Sequence, residues 1–182
     1  MENLIQKIYQ RHDVYVNQKY GEDDLLSYSF HLKAVRAQGL GFVDLWLKLT
    51  NHEFDTRVLE VALAGHDLIE DARMTQNDIQ ELVKSEMIIN AKSLEMITNI
   101  IYTVTDEKGR NRSERKNQKY YQELSQNKLA IFVKLADISA NTLYSKLFHT
   151  RQYRMYKSEF QAFKEKTYSE ELKEFFDYVE NL

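Results

Sequence analysis

An all-α fold is predicted, and three features of the 182-residue sequence predict it. Proline is absent, and glycine occurs only five times, at Gly21, Gly39, Gly41, Gly65 and Gly109, so residues that break helices or make sharp turns are scarce. Apolar residues recur at helical rather than alternating spacing, and strand signals are few. The hydrophobic fraction of 43% and the aromatic fraction of 12% suffice to fill a core. Set against a usual ~150 residues per domain, the length predicts one compact domain over 1–182.

Leu4, Ile5, Ile8, Tyr9, Tyr15 and Val16 outline a first helix. His31 sits on the next, whose other face carries Leu32 and Val35, and Leu59, Val61, Ala62 and Leu63 form another that runs up to Gly65. Thr75 stands three positions before Asp78 and just ahead of Ile79, Leu82 and Val83. That is an N-cap signal, the hydroxyl accepting from the first free amides, so a short helix is expected over 76–84. Further helices are expected over 91–103, 113–124, 128–147, 151–165 and 169–181, each with one apolar face and Lys or Glu on the other. The aromatic-rich tail, from Phe148 to Tyr178, reads as a hydrophobic seam, part of which could serve as a homo-oligomer surface. No repeat, low-complexity tract or linker composition divides the chain.

Composition narrows the chemistry. Lys and Arg total 25 against 28 Asp and Glu, a net charge of −3, which argues against a nucleic-acid binder despite a basic cluster between Lys108 and Lys116. Without cysteine there is no disulfide, thiol nucleophile or thiolate metal site, so any metal falls to His, Asp or Glu. The stretch Met1 to Gln10 lacks the basic start and apolar run of a secretory signal, and no window approaches the ~18 apolar residues of a membrane helix. A soluble cytoplasmic protein without membrane association is expected.

Five histidines occur, at 12, 31, 52, 66 and 149. His66 is set apart by its neighbours: in Ala62 to Asp71 an apolar helix end meets His66, Asp67, Glu70 and Asp71. Burying that many charges without a counter-charge costs several kcal/mol, which a bound cation would remove. Asp137, inside the apolar run Leu129 to Ile138, also needs compensation, either from a metal or from Lys134 at i−3. His12, His52 and His149 have no such partners and are assigned to surface or packing roles. The polar stretch from Thr105 to Lys116 reads as a loop entering a helix, either a solvated connection or a source of cations for an anionic ligand.

Together these positions resemble the HD-domain metal-dependent phosphohydrolases, whose pattern of a His, a His-Asp pair and a distant Asp is matched by His31, His66-Asp67 and Asp137. Within that superfamily the chain is most similar to RelA/SpoT-type alarmone hydrolases, especially the small stand-alone form of the metazoan SpoT homologue. Three ordered blocks carry the likeness: His66 to Asp71, Val104 to Glu107 with Glu114 to Lys116, and Val133 to Asp137 with Asn141. It spans about Tyr28 to Tyr144.

The resemblance implies a single HD-domain helical bundle with His31, His66, Asp67 and Asp137 as metal ligands. It further implies that Glu70 and Asp71 orient or deprotonate the attacking water, that Asn141 contacts the nucleotide, and that Tyr28 lies beside the nucleoside. Two imidazoles and two carboxylates suit manganese, iron or zinc better than calcium, and the family precedent favours manganese, Mn2+. The implied activity is hydrolysis of guanosine 3′,5′-bis(diphosphate) at the 3′ position, releasing pyrophosphate. Arg112, Arg115 and Lys116 are candidate phosphate contacts, because a polyanion beside an acidic site needs cations.

Two departures bear on the substrate. Where the family carries basic residues before the first His, this chain has Gly21 and Glu22, leaving Lys19 as the candidate substitute, and Ser27 stands where a proline is usual. The alternatives are hydrolysis of another nucleoside phosphate and a non-catalytic nucleotide-sensing module that keeps the fold. The intact set of six ionisable site residues argues against the latter.

Overall fold

The computed structural model describes residues 1–22, 24–106 and 117–182. Arg112, Arg115 and Lys116, with most of the charged stretch before them, lie outside the described residues.

Helix α1 spans Glu2–Gln10 and buries Leu4, Ile5, Ile8 and Tyr9. The sequence pattern predicts that it continues to Val16, but over Arg11–Val16 the backbone widens into a π-helix that ends at Asn17 with φ 54°. Widening shifts the side-chain phase. His12 is thereby carried into the interior while Tyr15 and Val16 are left 72% and 42% exposed. A two-stranded ribbon follows, β1 Lys19–Tyr20 and β2 Leu26–Ser27, antiparallel with Lys19 opposite Ser27. Strands of two residues are too short to leave an alternation in the sequence.

The other elements among the described residues are helices: α2 Tyr28–Leu40, α3 Val43–Leu49, α4 Thr56–Ala64, α5 Gln76–Glu86, α6 Ala91–Val104, α7 Gln118–Ser125, α8 Lys128–Leu147, α9 Gln152–Thr167 and α10 Lys173–Asn181, all but α3 anticipated by the sequence pattern. The last is preceded by a 3-10 turn, Glu170–Leu172, where one continuous helix is expected. Several helix starts follow from side-chain capping. Thr75 and Asp78 form a reciprocal capping box at α5, and Asn90, Asn117 and Asn127 cap α6, α7 and α8.

Helix α8 is the central element, packing against α2, α6, α9 and α10. Its Phe132 lies edge-on to Trp46 of α3 at 5.6 Å and to Phe175 of α10 at 5.1 Å, and all three rings are wholly buried. In the aromatic tail Phe160, Phe163, Phe175 and Phe176 are buried as a seam, whereas Phe148 and Tyr168 are exposed. Helices α2 and α4 pack together, and at Gly39 an added Cβ would sit 2.5 Å from Leu63 Cδ1. Among the described residues no helix is long and apolar enough to cross a membrane.

Candidate metal centre

Three separate segments bring four polar side chains to one point. His31 projects from α2 and Asp137 from α8, two helices that pack directly on each other, and His31 Nε2 lies 3.3 Å from Asp137 Oδ1. His66 and Asp67 follow the end of α4. Adjacent residues on a helix diverge by ~100°, so they could not share a target while the helix continued. The helix does not continue: the Gly65 amide makes a final bond to Val61, the Leu68 amide turns back to Gly65, and the intervening turn aims both side chains inward. His66 Nε2 is then 2.9 Å from Asp67 Oδ2 and 3.8 Å from Asp137 Oδ1.

Ligating atoms of His31, His66 and Asp67 fall within 4.8 Å of one another, an arrangement able to hold a metal ion. Asp137 abuts both imidazoles.

The proton positions are constrained. His66 Nδ1 lies 2.9 Å from the carbonyl of Leu63, which can only accept, so Nδ1 carries the hydrogen. Its Nε2 is buried and makes no hydrogen bond despite the nearby carboxylate. Without a cation, the facing lone pairs of Nε2 and Asp67 Oδ2 repel unless a proton comes between them. Burial alone would lower the His66 pKa, but Asp67 and then Asp137 outweigh it and raise it to about 9. Burial likewise opposes ionisation of the two carboxyls, yet the His66 imidazole holds Asp67, and the Lys134 ammonium and His31 hold Asp137, well below the usual carboxylate range.

Around this centre a second set of contacts fixes the four side chains. Lys134 Nζ is 2.8 Å from Asp137 Oδ2, so of the two compensations that the sequence left open the lysine is in place on one oxygen, and the His31 imidazole lies beside the other. Asn141, one turn along α8, donates from Nδ2 to Asp137 Oδ1 at 2.7 Å and accepts the Tyr20 hydroxyl at 2.9 Å. The Tyr28 hydroxyl donates to Asp67 Oδ2. His31 has no hydrogen bond at Nδ1; instead the Tyr20 ring lies over it at 4.9 Å and 23°.

Asn141 and Tyr28, the expected nucleotide contacts, both line the cavity. The i, i+4 spacing on α8 brings Asn141 Nδ2 to Asp137, and the packing of α2 brings the Tyr28 hydroxyl to Asp67, while Asn141 Oδ1 is taken by Tyr20.

The centre forms the floor of a cleft of about 310 Å³. Among the described residues its walls carry six carboxylates, of Asp67, Glu70, Asp71, Asp106, Asp137 and Glu159, against one lysine, Lys134. Burial pushes the Glu70 carboxyl up to about 7 against the pull of Lys134, with the hydrogen-bonded Asp106 adding to the rise. Asp71 accepts a hydrogen bond from Gln18 Nε2 at 2.8 Å. Lys19 is not in this cleft. It is exposed on β1 and lines a separate depression that shares Tyr20 and Tyr156 with it, since pleating turns Tyr20 inward and its neighbour out.

Gln18 and Tyr20 were not singled out by sequence, and Asp106 entered only as part of the Val104 to Glu107 block. Gln18 lies just past the π-helix, Tyr20 on the ribbon and Asp106 just past α6, positions with no periodic signal. No family model, curated protein or solved structure matches the chain.

Proposed function

We propose that the protein is a divalent-metal-dependent phosphohydrolase that cleaves a phosphate ester or diphosphate from a nucleotide. The observation that carries this reading is the convergence of His31, His66, Asp67 and Asp137 around a buried imidazole nitrogen that has no hydrogen bond. Two imidazole nitrogens and carboxylate oxygens are a donor set that suits manganese, iron or zinc. A cation held there supplies Lewis acidity, lowering the pKa of water and drawing charge from a phosphoryl oxygen.

The chain's own groups supply proton transfer. Asp71 faces the cleft with Oδ2 engaged by Gln18, which leaves Oδ1 to accept the proton of an attacking water. Oxygen attack at phosphorus breaks the P–O bond to the leaving group. Glu70, whose carboxyl titrates near 7, is suited to return a proton to the departing oxygen. Lys134 keeps Asp137 ionised.

Similarity of the motif blocks to RelA/SpoT-type alarmone hydrolases supports guanosine 3′,5′-bis(diphosphate) as substrate, hydrolysed at the 3′ position, with manganese as the metal. Placement of Lys19 outside the cleft and the pairing of Glu22 with Arg151 favour a second reading, a different nucleoside phosphate bound through other contacts. Purified protein loaded with manganese and given a panel of nucleotides decides between them. Pyrophosphate release from guanosine tetraphosphate, faster than phosphate or pyrophosphate release from ordinary nucleotides, is the expected result; no turnover of any nucleotide by metal-loaded protein would contradict the hydrolase reading.

A further inference from the structure

We propose that Gln18 and His12 are positioning residues for Asp71, forming a chain of ordered hydrogen bonds that runs from the π-helix to the wall of the cleft. This rests on the reading of Asp71 as the proton acceptor. Gln18 Nε2 lies 2.8 Å from Asp71 Oδ2, and Gln18 Oε1 lies 2.9 Å from His12 Nδ1. Polarity propagates along these contacts. An ionised carboxylate only accepts, so Gln18 must turn its amide NH2 toward Asp71 and its carbonyl oxygen toward His12. His12 must then carry its hydrogen on Nδ1, leaving Nε2 bare. His12 Nε2 is indeed buried with no hydrogen-bond partner, in a residue with 0% exposure.

Packing alone does not account for a histidine at this place. Its ring stacks on Tyr28 at 5.1 Å and 26°, a contact that phenylalanine would make as well and without a buried, unsatisfied acceptor. A buried acceptor with no partner is destabilising. What the imidazole adds is the Nδ1 hydrogen that locks Gln18 in one of its two amide orientations. Burial lowers the His12 pKa, which keeps the ring neutral and this tautomer meaningful near pH 7. The π-helix explains the reach. It turns His12 inward and ends in the left-handed Asn17, which sets Gln18 back against the turn that carries Asp71.

Two measurements test the chain. Nitrogen NMR of the 182-residue chain should find His12 in the Nδ1-protonated tautomer, and that preference should be lost in Gln18→Met, which keeps the side-chain volume but removes both the amide NH2 and its carbonyl oxygen. An Nε2-protonated ring, or a tautomer indifferent to Gln18→Met, would overturn the proposal, whatever the enzyme's activity. In turnover, Gln18→Met and His12→Phe should each lower kcat by about 10- to 100-fold with KM and manganese affinity unchanged, because they misorient a proton acceptor without touching the ligands. His12→Asn, whose amide can donate from near the Nδ1 position, should restore most of the rate. Unchanged kcat in Gln18→Met would also overturn the proposal. If the unaltered protein hydrolyses no nucleotide, the hydrolase reading fails while the NMR result still decides whether the chain of hydrogen bonds exists.

Discussion

His66 is pinned at one nitrogen and faces two carboxylates at the other, an asymmetry that would make its protonation a reporter of metal binding at the proposed centre. In metal-free protein its pKa, raised from 6.5 to about 9, means that the charged ring stabilises the fold fully below pH 6.5 and loses that contribution as pH rises through 9. A cation needs the neutral ring. Metal uptake between these limits should therefore release a proton, and apparent affinity should rise by up to about tenfold per pH unit toward 9, as read by calorimetry in buffers of different ionisation enthalpy. Flat affinity over this range would count against His66 as a ligand. Lys134→Met, which strips Asp137 Oδ2 of its partner, should weaken metal binding by about 10- to 100-fold with the helix content unchanged. Asp71→Asn should abolish turnover while nucleotide affinity, measured by titration, is retained. At this scale the sequence was most legible where a charge stood in apolar surroundings: His66-Asp67 after an apolar helix and Asp137 within one. Gln18 and Tyr20 left no such mark, since an amide and a phenol are ordinary on any surface and gain meaning only from what they touch.

Between elements, the α2–α4 contact links packing to the centre. Gly39 admits Leu63 against the α2 backbone, and the Leu63 carbonyl in turn braces His66 Nδ1. Gly39→Ala adds helix propensity but forces a Cβ into a fully buried leucine, so a net loss of about 1–3 kcal/mol is expected from overpacking. Thermal unfolding should show it as a lower Tm, accompanied by weaker metal binding as His66 shifts; a Tm equal to or above that of the unaltered protein would mean that the two helices can separate freely. Helix positions were readable because apolar spacing and caps act locally: Thr75 with Asp78 starts α5 where the residue types require it. The π-helix, the ribbon and the break before α10 were not readable. Each is a local departure set by what the segment packs against, and a periodic pattern averages over it. In α1 the apolar residues Tyr15 and Val16 extend the stripe in sequence while the backbone turns them to solvent.

Across the whole molecule, the centre draws on residues from 28 to 141, which helices α2, α4 and α8 bring together around a core anchored by Trp46, Phe132 and Phe175. Two buried carboxylates and two imidazoles face only one lysine, so a cation held at the proposed centre should add to global stability with the logarithm of its concentration over Kd, roughly 2.7 kcal/mol at a hundredfold excess. The all-α class was legible from the lack of proline and the helical spacing, but which helix ends meet depends on tertiary packing that no local pattern encodes; the spacing of His31, His66-Asp67 and Asp137 pointed to a shared centre only through resemblance. The most direct test is electron–nuclear double resonance on manganese-loaded protein near neutral pH. One manganese per chain coupled to two histidine nitrogens is predicted; no bound manganese, or an ion without nitrogen coupling, would contradict a centre built from His31, His66, Asp67 and Asp137.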